Sequence, residues 1–346
     1  MSRLGTFRLR GLNLFLLLCV ALWWLPAGHA HADTNVSCTA TMSNVSFGNV
    51  SFTDGSGSAN VSVNATLNYT CTSSAILFTQ EATTVCFSIG DGVQGNGQFN
   101  PRQMTDAAGD ILKFQLFQGA STTNWGSTGT SSPYTASFTI PGSLLGGAQQ
   151  SGTATLRGTL VSNQTTAPPG SYQDQFTGGH TAIQVNSQAG TTAPASCIGG
   201  TSGNTFPFTV TATIIKGCTV TANNINLGAV PFNAINTTGS GTLGVICSNG
   251  TPYFVGLAPS NGNTAGAGVM KGATTGNTDQ VPYQLSSTAG PGGTPWGNTA
   301  TTTSVGNGKA GTGNGLNQSM TVYVTAPSAN FRPDSYSDTV TVNVNY

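Results

Sequence analysis

Charge is what this chain has least of. Only 6% of its 346 residues are Asp, Glu, Lys or Arg, against about 25% in an ordinary soluble domain. Beyond residue 32, seven basic side chains face ten acidic ones, a formal charge of −3. So weak a field does not steer nucleic acid or anionic lipid to a surface, and no nucleic-acid partner is expected. Histidine is nearly absent too: past residue 32 only His180 remains. One imidazole assembles no Ser-His-Asp or Cys-His grouping, so the chain is not expected to be an enzyme. Asp91, Asp106 and Asp110 sit among glycines and read as turn and cap residues, not as a catalytic carboxylate pair. "GDGVQGNGQ" has the glycines of a phosphate loop without the strand-to-helix setting such a loop needs. No cysteines have the CxxC spacing of a zinc site, and neither metal nor cofactor is expected. No helical amphipathic period of useful length occurs, which excludes folds built on helices.

What is present begins with an export signal over residues 1–32. Arg3, Arg8 and Arg10 precede the apolar run "LNLFLLLCVALWWL", and "PAGHAHA" offers small-residue cleavage sites after Ala30 or Ala32. The run is short for a membrane span, and no later segment is long and apolar enough for one. The remaining chain is therefore expected outside the cytoplasm. Cys19 falls in the signal, which leaves Cys38, Cys71, Cys86, Cys197, Cys218 and Cys247. Six cysteines in an exported protein point to three disulfides.

Internal repetition sets the architecture. "CTATMSNVSFGNVSFTDGSGSANVSVNATLNYTC" (from Cys38) and "CTVTANNINLGAVPFNAINTTGSGTLGVIC" (from Cys218) share one plan. Each opens Cys-Thr, passes an apolar-Gly turn (Phe47-Gly48, Leu227-Gly228) and a Gly/Ser-rich link, and alternates into a second Cys. The matched spans favour bridges Cys38–Cys71 and Cys218–Cys247, leaving Cys86 and Cys197 as the third pair. "ILKFQLFQGASTTNWG" then parallels "VPYQLSSTAGPGGTPWG", pairing Trp125 with Trp296 as expected core residues. "CFSIGDG" from Cys86 aligns with "YFVGLAP" from Tyr253, and Tyr172-x-Asp174 with Tyr336-x-Asp338. Short alternating strands broken by Gly, Pro and Asn turns give an all-β chain of two tandem Ig-like antiparallel sandwiches. They are expected over residues 33–216 and 217–346.

The two copies end differently. The first closes on an alternating strand, Phe206, Phe208, Val210, Ala212 and Ile214. The second closes on "SYSDTVTVNVNY", read as one half-buried strand with Tyr336, Val340, Val342, Val344 and Tyr346 on its inner face. No counterpart of the Phe206–Ile214 strand follows it. The second sandwich is therefore expected to lack its final strand, and those five residues to line a groove for a strand from another chain. The first copy carries three insertions, with Ile76, Leu77 and Phe78; Leu144 and Leu145; and Pro168 and Pro169. The first two groups either fold inward as core or form exposed apolar fingertips. The proline loop is the alternative site should they prove core.

The Cys-x-Val start, the "CSNGTPYFVGL" middle and the "YSDTVTVNVNY" ending resemble the spore coat protein U (SCPU) domain family. The resemblance covers both copies, and Leu227 stands where the family usually has Phe. Two such domains, the first enlarged, are similar to the two-domain tip adhesins of archaic (Csu-type) chaperone–usher pili of Gram-negative bacteria. The resemblance implies a periplasmic chaperone and an adjacent pilin that each fill the missing strand, and an outer-membrane usher. It further implies a protein at the cell surface that binds abiotic or host material and supports biofilm formation. Only Asp33, Thr34, Asn35, Val36 and Ser37 separate the cleavage site from Cys38. That segment is too short and polar to serve as a donor, so the chain is expected to end a polymer at the pilus tip. A structural surface or spore-coat component without adhesive function is the alternative.

Overall fold

The computed structural model describes residues 35–53, 61–127 and 132–346; the expected export signal lies outside them. The first module comprises β1 (Val36–Met42), β2 (Val45–Val50), β3 (Ser62–Ser73), β4 (Glu81–Ile89), β5 (Arg102–Thr105) and β6 (Ile111–Gln118). It continues with β7 (Tyr134–Ile140), β8 (Ala148–Leu160), β9 (Gly170–Phe176), β10 (Thr181–Ala189), β11 (Thr201–Ser202) and β12 (Phe208–Ile214). The second comprises β13 (Cys218–Ala222), β14 (Ile235–Cys247), β15 (Pro252–Pro259), β16 (Ala267–Gly272) and β17 (Gln280–Ser286). Then come β18 (Lys309–Thr312), β19 (Gln318–Ser328), β20 (Tyr336–Ser337) and β21 (Val340–Asn345).

Each module is two sheets face to face. The first has the orders β1-β3-β8-β6-β5-β9-β12-β2 and β11-β10-β4-β7; the second has β13-β14-β19-β17-β16-β20 and β18-β15-β21. Period-2 alternation is what drives this packing: along β3, Ala65, Leu67, Tyr69 and Cys71 point inward, and along β12 so do Phe208, Val210, Ala212 and Ile214. β4 departs from the rule, being buried at every position. Its outer face lies under the loop that follows β10, where Cys86 joins Cys197 and the Thr84 hydroxyl donates to the Pro194 carbonyl at 2.5 Å. The other disulfides, Cys38–Cys71 and Cys218–Cys247, tie β1 to β3 and β13 to β14 between directly opposed residues.

The tryptophans do the same work twice. Trp125 Nε1 donates to the Phe87 carbonyl at 2.7 Å and Trp296 Nε1 to the Val255 carbonyl at 2.8 Å, both rings fully buried. The backbone amides of Ile89 and Leu257 bond to Gly126 and Gly297 in turn. Phe87 is thus the counterpart of Val255, and Cys86 that of Phe254. The expected alignment of Cys86 with Tyr253 is one residue out, and in a strand one residue exchanges core face for outer face.

The closing run is also not one strand. Tyr336–Ser337 pairs with β16 in the six-stranded sheet, whereas Val340–Asn345 pairs with β15 in the opposite sheet. The chain crosses at Asp338-Thr339, where the Asp338 carboxylate accepts from the Tyr283 hydroxyl and from the Thr339 amide at 2.8 Å.

The modules meet through a short joint, Ile215–Gly217. Ser248 Oγ donates to the Ile215 carbonyl at 3.2 Å, Thr219 Oγ1 to the Thr53 carbonyl at 3.1 Å, and Asn249 Nδ2 to the Thr166 carbonyl at 2.6 Å.

Candidate functional site

The difference between the modules lies at one strand position. In the first, β12 runs antiparallel to β9, from Phe208 opposite Phe176 to Ile214 opposite Gly170, and parallel to β2 with Val210 beside Val45. Its inward side chains are no more than 3% exposed. In the second module β20 replaces β9: Tyr172 and Tyr336 each donate their hydroxyl to the carbonyl four residues back, Pro168 and Arg332, at 2.8 and 2.7 Å. Residues 225–230 replace β2, with Gly228 (φ +74°) matching Gly48 (φ +67°) in the left-handed turn that only glycine takes without strain. Between β20 and residues 225–230 lies no strand of the described residues.

A cleft occupies that position instead. Its inner part, about 420 Å³, is lined among others by Ile225, Leu227, Met270, Tyr283, Val340 and Val342. It continues past Leu227, Met270 and Tyr336 into an outer part of about 610 Å³ that includes Val230, Phe232 and Phe331. Val45 and Phe47, which β12 covers, are 1% and 5% exposed, while their counterparts Ile225 and Leu227 stay half-buried. Of the five residues expected to line the groove, Tyr336, Val340 and Val342 do. Val344 packs against the second module's core beside β15, and Tyr346 is 45% exposed; neither reaches the cleft. Both lie farther along the chain than Val340 and Val342, the part of β21 that faces the cleft. Ile225, Leu227 and Met270 are lining residues that the end-of-chain reading missed. The alternation Ile225, Leu227, matched to Val45 and Phe47, was the signal that could have found them.

The apolar insertions converge. The amide of Leu77 donates to the Leu144 carbonyl at 3.2 Å and that of Phe78 to the Ser143 carbonyl at 3.0 Å, so the β3–β4 and β7–β8 loops form one tip. A Cβ at Gly142 would overlap the Phe78 carbonyl, so the approach requires glycine there. Ile76, Leu77, Phe78, Leu144 and Leu145 are 53%, 71%, 68%, 52% and 87% exposed. Leu77 and Phe78 both have left-handed backbones, φ +56° and +58°. Bulky residues adopt that conformation only where the surroundings hold it. Pro168 and Pro169 are half-buried near the opposite end of β8, beside Thr166 at the joint, so they share no surface with this tip.

Polar groups behind β9 are structural. Arg102 is fully buried; it donates to the carbonyls of Gly90, Ile89 and Trp125 and to Gln115 Oε1, and burial pulls its guanidinium down to about 9. Burial likewise pushes the Asp174 carboxyl up to about 6, although Oδ1 accepts from the Gln94 amide at 2.8 Å. Asp91 accepts from the Gly97 amide and lies 3.1 Å from His180 Nδ1; Asp106 caps its own turn through the amides of Ala108 and Asp110. Among the described residues no group of three or more His, Cys, Asp or Glu is placed to hold a metal.

The fold and site define a tandem β-sandwich protein with one closed module and one open one. The chain belongs to the Spore Coat Protein U domain family, whose pattern matches residues 29–178 and 204–343. No curated protein matches it. Among solved structures it is similar to the CsuC–CsuE chaperone–tip adhesion subunit pre-assembly complex from archaic chaperone-usher Csu pili of Acinetobacter baumannii. Identity there is 15%, over 90% of this chain and 100% of that one, with a TM-score of 0.46. It is also similar to the CupB6 tip adhesin of Pseudomonas aeruginosa, at 11% identity over 90% and 93% of the two chains and a TM-score of 0.31.

Proposed function

We propose that this protein is the adhesive tip subunit of a surface pilus, exported through a periplasm, whose second module takes its missing strand from another chain. The observation that carries this reading is the vacant position beside β20, filled in the first module by β12. An unfilled sandwich edge leaves backbone donors and apolar side chains facing water, which costs stability and invites aggregation. A segment added as a strand supplies the ladder and, through every second side chain, the core. A periplasmic chaperone would hold the slot during export, and the N-terminal strand of an adjacent pilin would replace it at the outer-membrane usher. The Leu77–Leu145 tip, at the end of the first module away from the joint, would bind abiotic or host surfaces by releasing water from apolar contact, and so support biofilm formation.

Two experiments test the two halves of this reading. A synthetic peptide of residues 204–216, the β12 sequence, is added to the full exported chain. The melting transition of the second module should rise, by about 2.7 kcal/mol of stability at a hundred times the dissociation constant. The same peptide with Val210 and Ala212 replaced by Asp should do nothing; no shift with the native sequence refutes the slot. For adhesion, Leu144→Ser together with Leu145→Ser should abolish attachment to plastic while fibres and melting temperature stay unchanged. Loss of secretion instead would show that these leucines are core.

A further inference from the structure

Beside its closing strand, the first module also meets the folded body of the second. In register with Gly48 and Gly228, the sequence Val50-Ser51-Phe52 corresponds to Val230-Pro231-Phe232. Phe52 belongs to the first module's own core, so Ser51 and Thr53 on either side of it point the other way, and Pro231 and Asn233 are their exposed counterparts in the second module. Ser51 and Thr53 are where the first module receives the second. A Cβ on Gly217 would stand 3.1 Å from both Ser51 Oγ and Thr53 Cγ2, and Thr219 Oγ1 donates to the Thr53 carbonyl at 3.1 Å. The loop before Tyr172 completes that seat: the Thr166 carbonyl accepts from Asn249, and the Thr165 carbonyl lies where a Cβ on Gly315 would fall.

Each part of this seat recurs in the second module. Counting back from the corner tyrosines, Thr165 and Thr166 correspond to Ala329 and Asn330. Ala329 and Phe331 line the outer part of the cleft with Phe232, and the Phe331 and Tyr336 rings meet edge-on at 6.4 Å. Asn330 is exposed and Ala329 and Phe331 are half-buried.

We infer that Pro231, Asn233, Ala329 and Asn330 form a docking surface for the folded body of the next subunit, which sits on the second module as the second sits on the first. The inference rests on the strand-slot reading and extends it from a strand to a whole partner. The occupant is a sandwich of the same kind, joined to its donated strand by a link as short as Ile215–Gly217. It meets the seat through its opening Cys-Thr strand and the turn matching Ser248-Asn249. Strand and body then hold the joint together, and neither can swing freely about the link.

Photo-crosslinking in assembled fibres separates the strand from the body. A benzophenone-bearing residue is placed at position 330 or, as the slot control, at position 227, in the full chain, and the adducts are mapped by mass spectrometry. Position 227 should capture the partner's donated strand, and position 330 the partner's Cys-Thr strand or Ser-Asn turn. In parallel, Asn330→Arg should leave the affinity of the 204–216 peptide unchanged and speed dissociation of the whole subunit about tenfold. Adducts from position 330 confined to the donated strand or to the chain itself, or equal losses for peptide and subunit, would overturn the docking surface. Absence of any intermolecular adduct from position 227 would overturn the slot itself, and the docking surface with it.

Discussion

Replacing Phe208 by alanine should unlock the first module. Its ring is 3% exposed and lies flat on Phe176, with centroids 4.5 Å apart and planes within 5°. A buried Phe→Ala change costs about 3–5 kcal/mol, from lost transfer energy and the hole left behind. The upper part of that range applies here. The stacked pair carries about 0.5–1.5 kcal/mol beyond its buried area, and β9 and β2 hold β12 from both sides, so the strand cannot slide to close the hole. For a unit of this size each kcal/mol moves the melting point by roughly 2–4 °C, so about 4–5 kcal/mol lowers it by roughly 8–20 °C. The assay is calorimetry of the oxidised full chain with the second module saturated by the 204–216 peptide, which keeps the two transitions apart. Thr209→Ala, one position along β12 and directed outward, should move the transition by no more than a degree or two. A fall of under 3 °C for Phe208→Ala, or one matched by Thr209→Ala, would refute the placement of β12 within a closed core.

Two further outcomes follow from the geometry. Gly142→Val should force the two loops apart, because the new Cβ meets the Phe78 carbonyl; attachment should fall at least tenfold while the melting temperature changes by a few degrees at most, and undiminished attachment would show that the paired loops are not the contact. Asp174 makes stability depend on pH with an unusual sign: its carboxyl is raised to about 6 when folded, against about 3.9 in an unfolded chain. Between these values the folded form keeps a proton that the unfolded form has released, so stability is fullest below about pH 4 and declines as pH rises to about 6. Asp174→Asn should flatten that decline in urea midpoints taken at pH 4, 5, 6 and 7; an unchanged slope would assign it to other groups.

Much of the fold was legible because alternation and repetition are local signals. β-branched runs between Gly and Asn turns could be nothing but strands, and the Cys-Thr starts, the apolar-Gly turns and the Trp-Gly pairs placed two copies in register. The alternation from Phe206 to Ile214 made β12 legible for the same reason, whereas the open position beside β20 is seen in the sheet order.

Position in space was not legible. Alternation says which face of a strand a residue takes, but not which sheet the strand joins. Tyr336 and Val344 therefore read as neighbours on one surface, although a turn at Asp338 sends them to opposite sheets. The same blindness hid the far wall of the slot. Ile225 lies about a hundred residues before Tyr336, and only the closure of the sandwich brings the two to one cleft. It also left the apolar loops undecided between core and surface. Leu77 and Leu144 are separated by an entire β-hairpin and more, and their pairing depends on β3 lying against β8 and β4 against β7. Side-chain pattern is written along the chain and survives in the sequence, whereas contact between distant segments exists only once strand order is set, and strand order is decided by the packing of the whole sandwich.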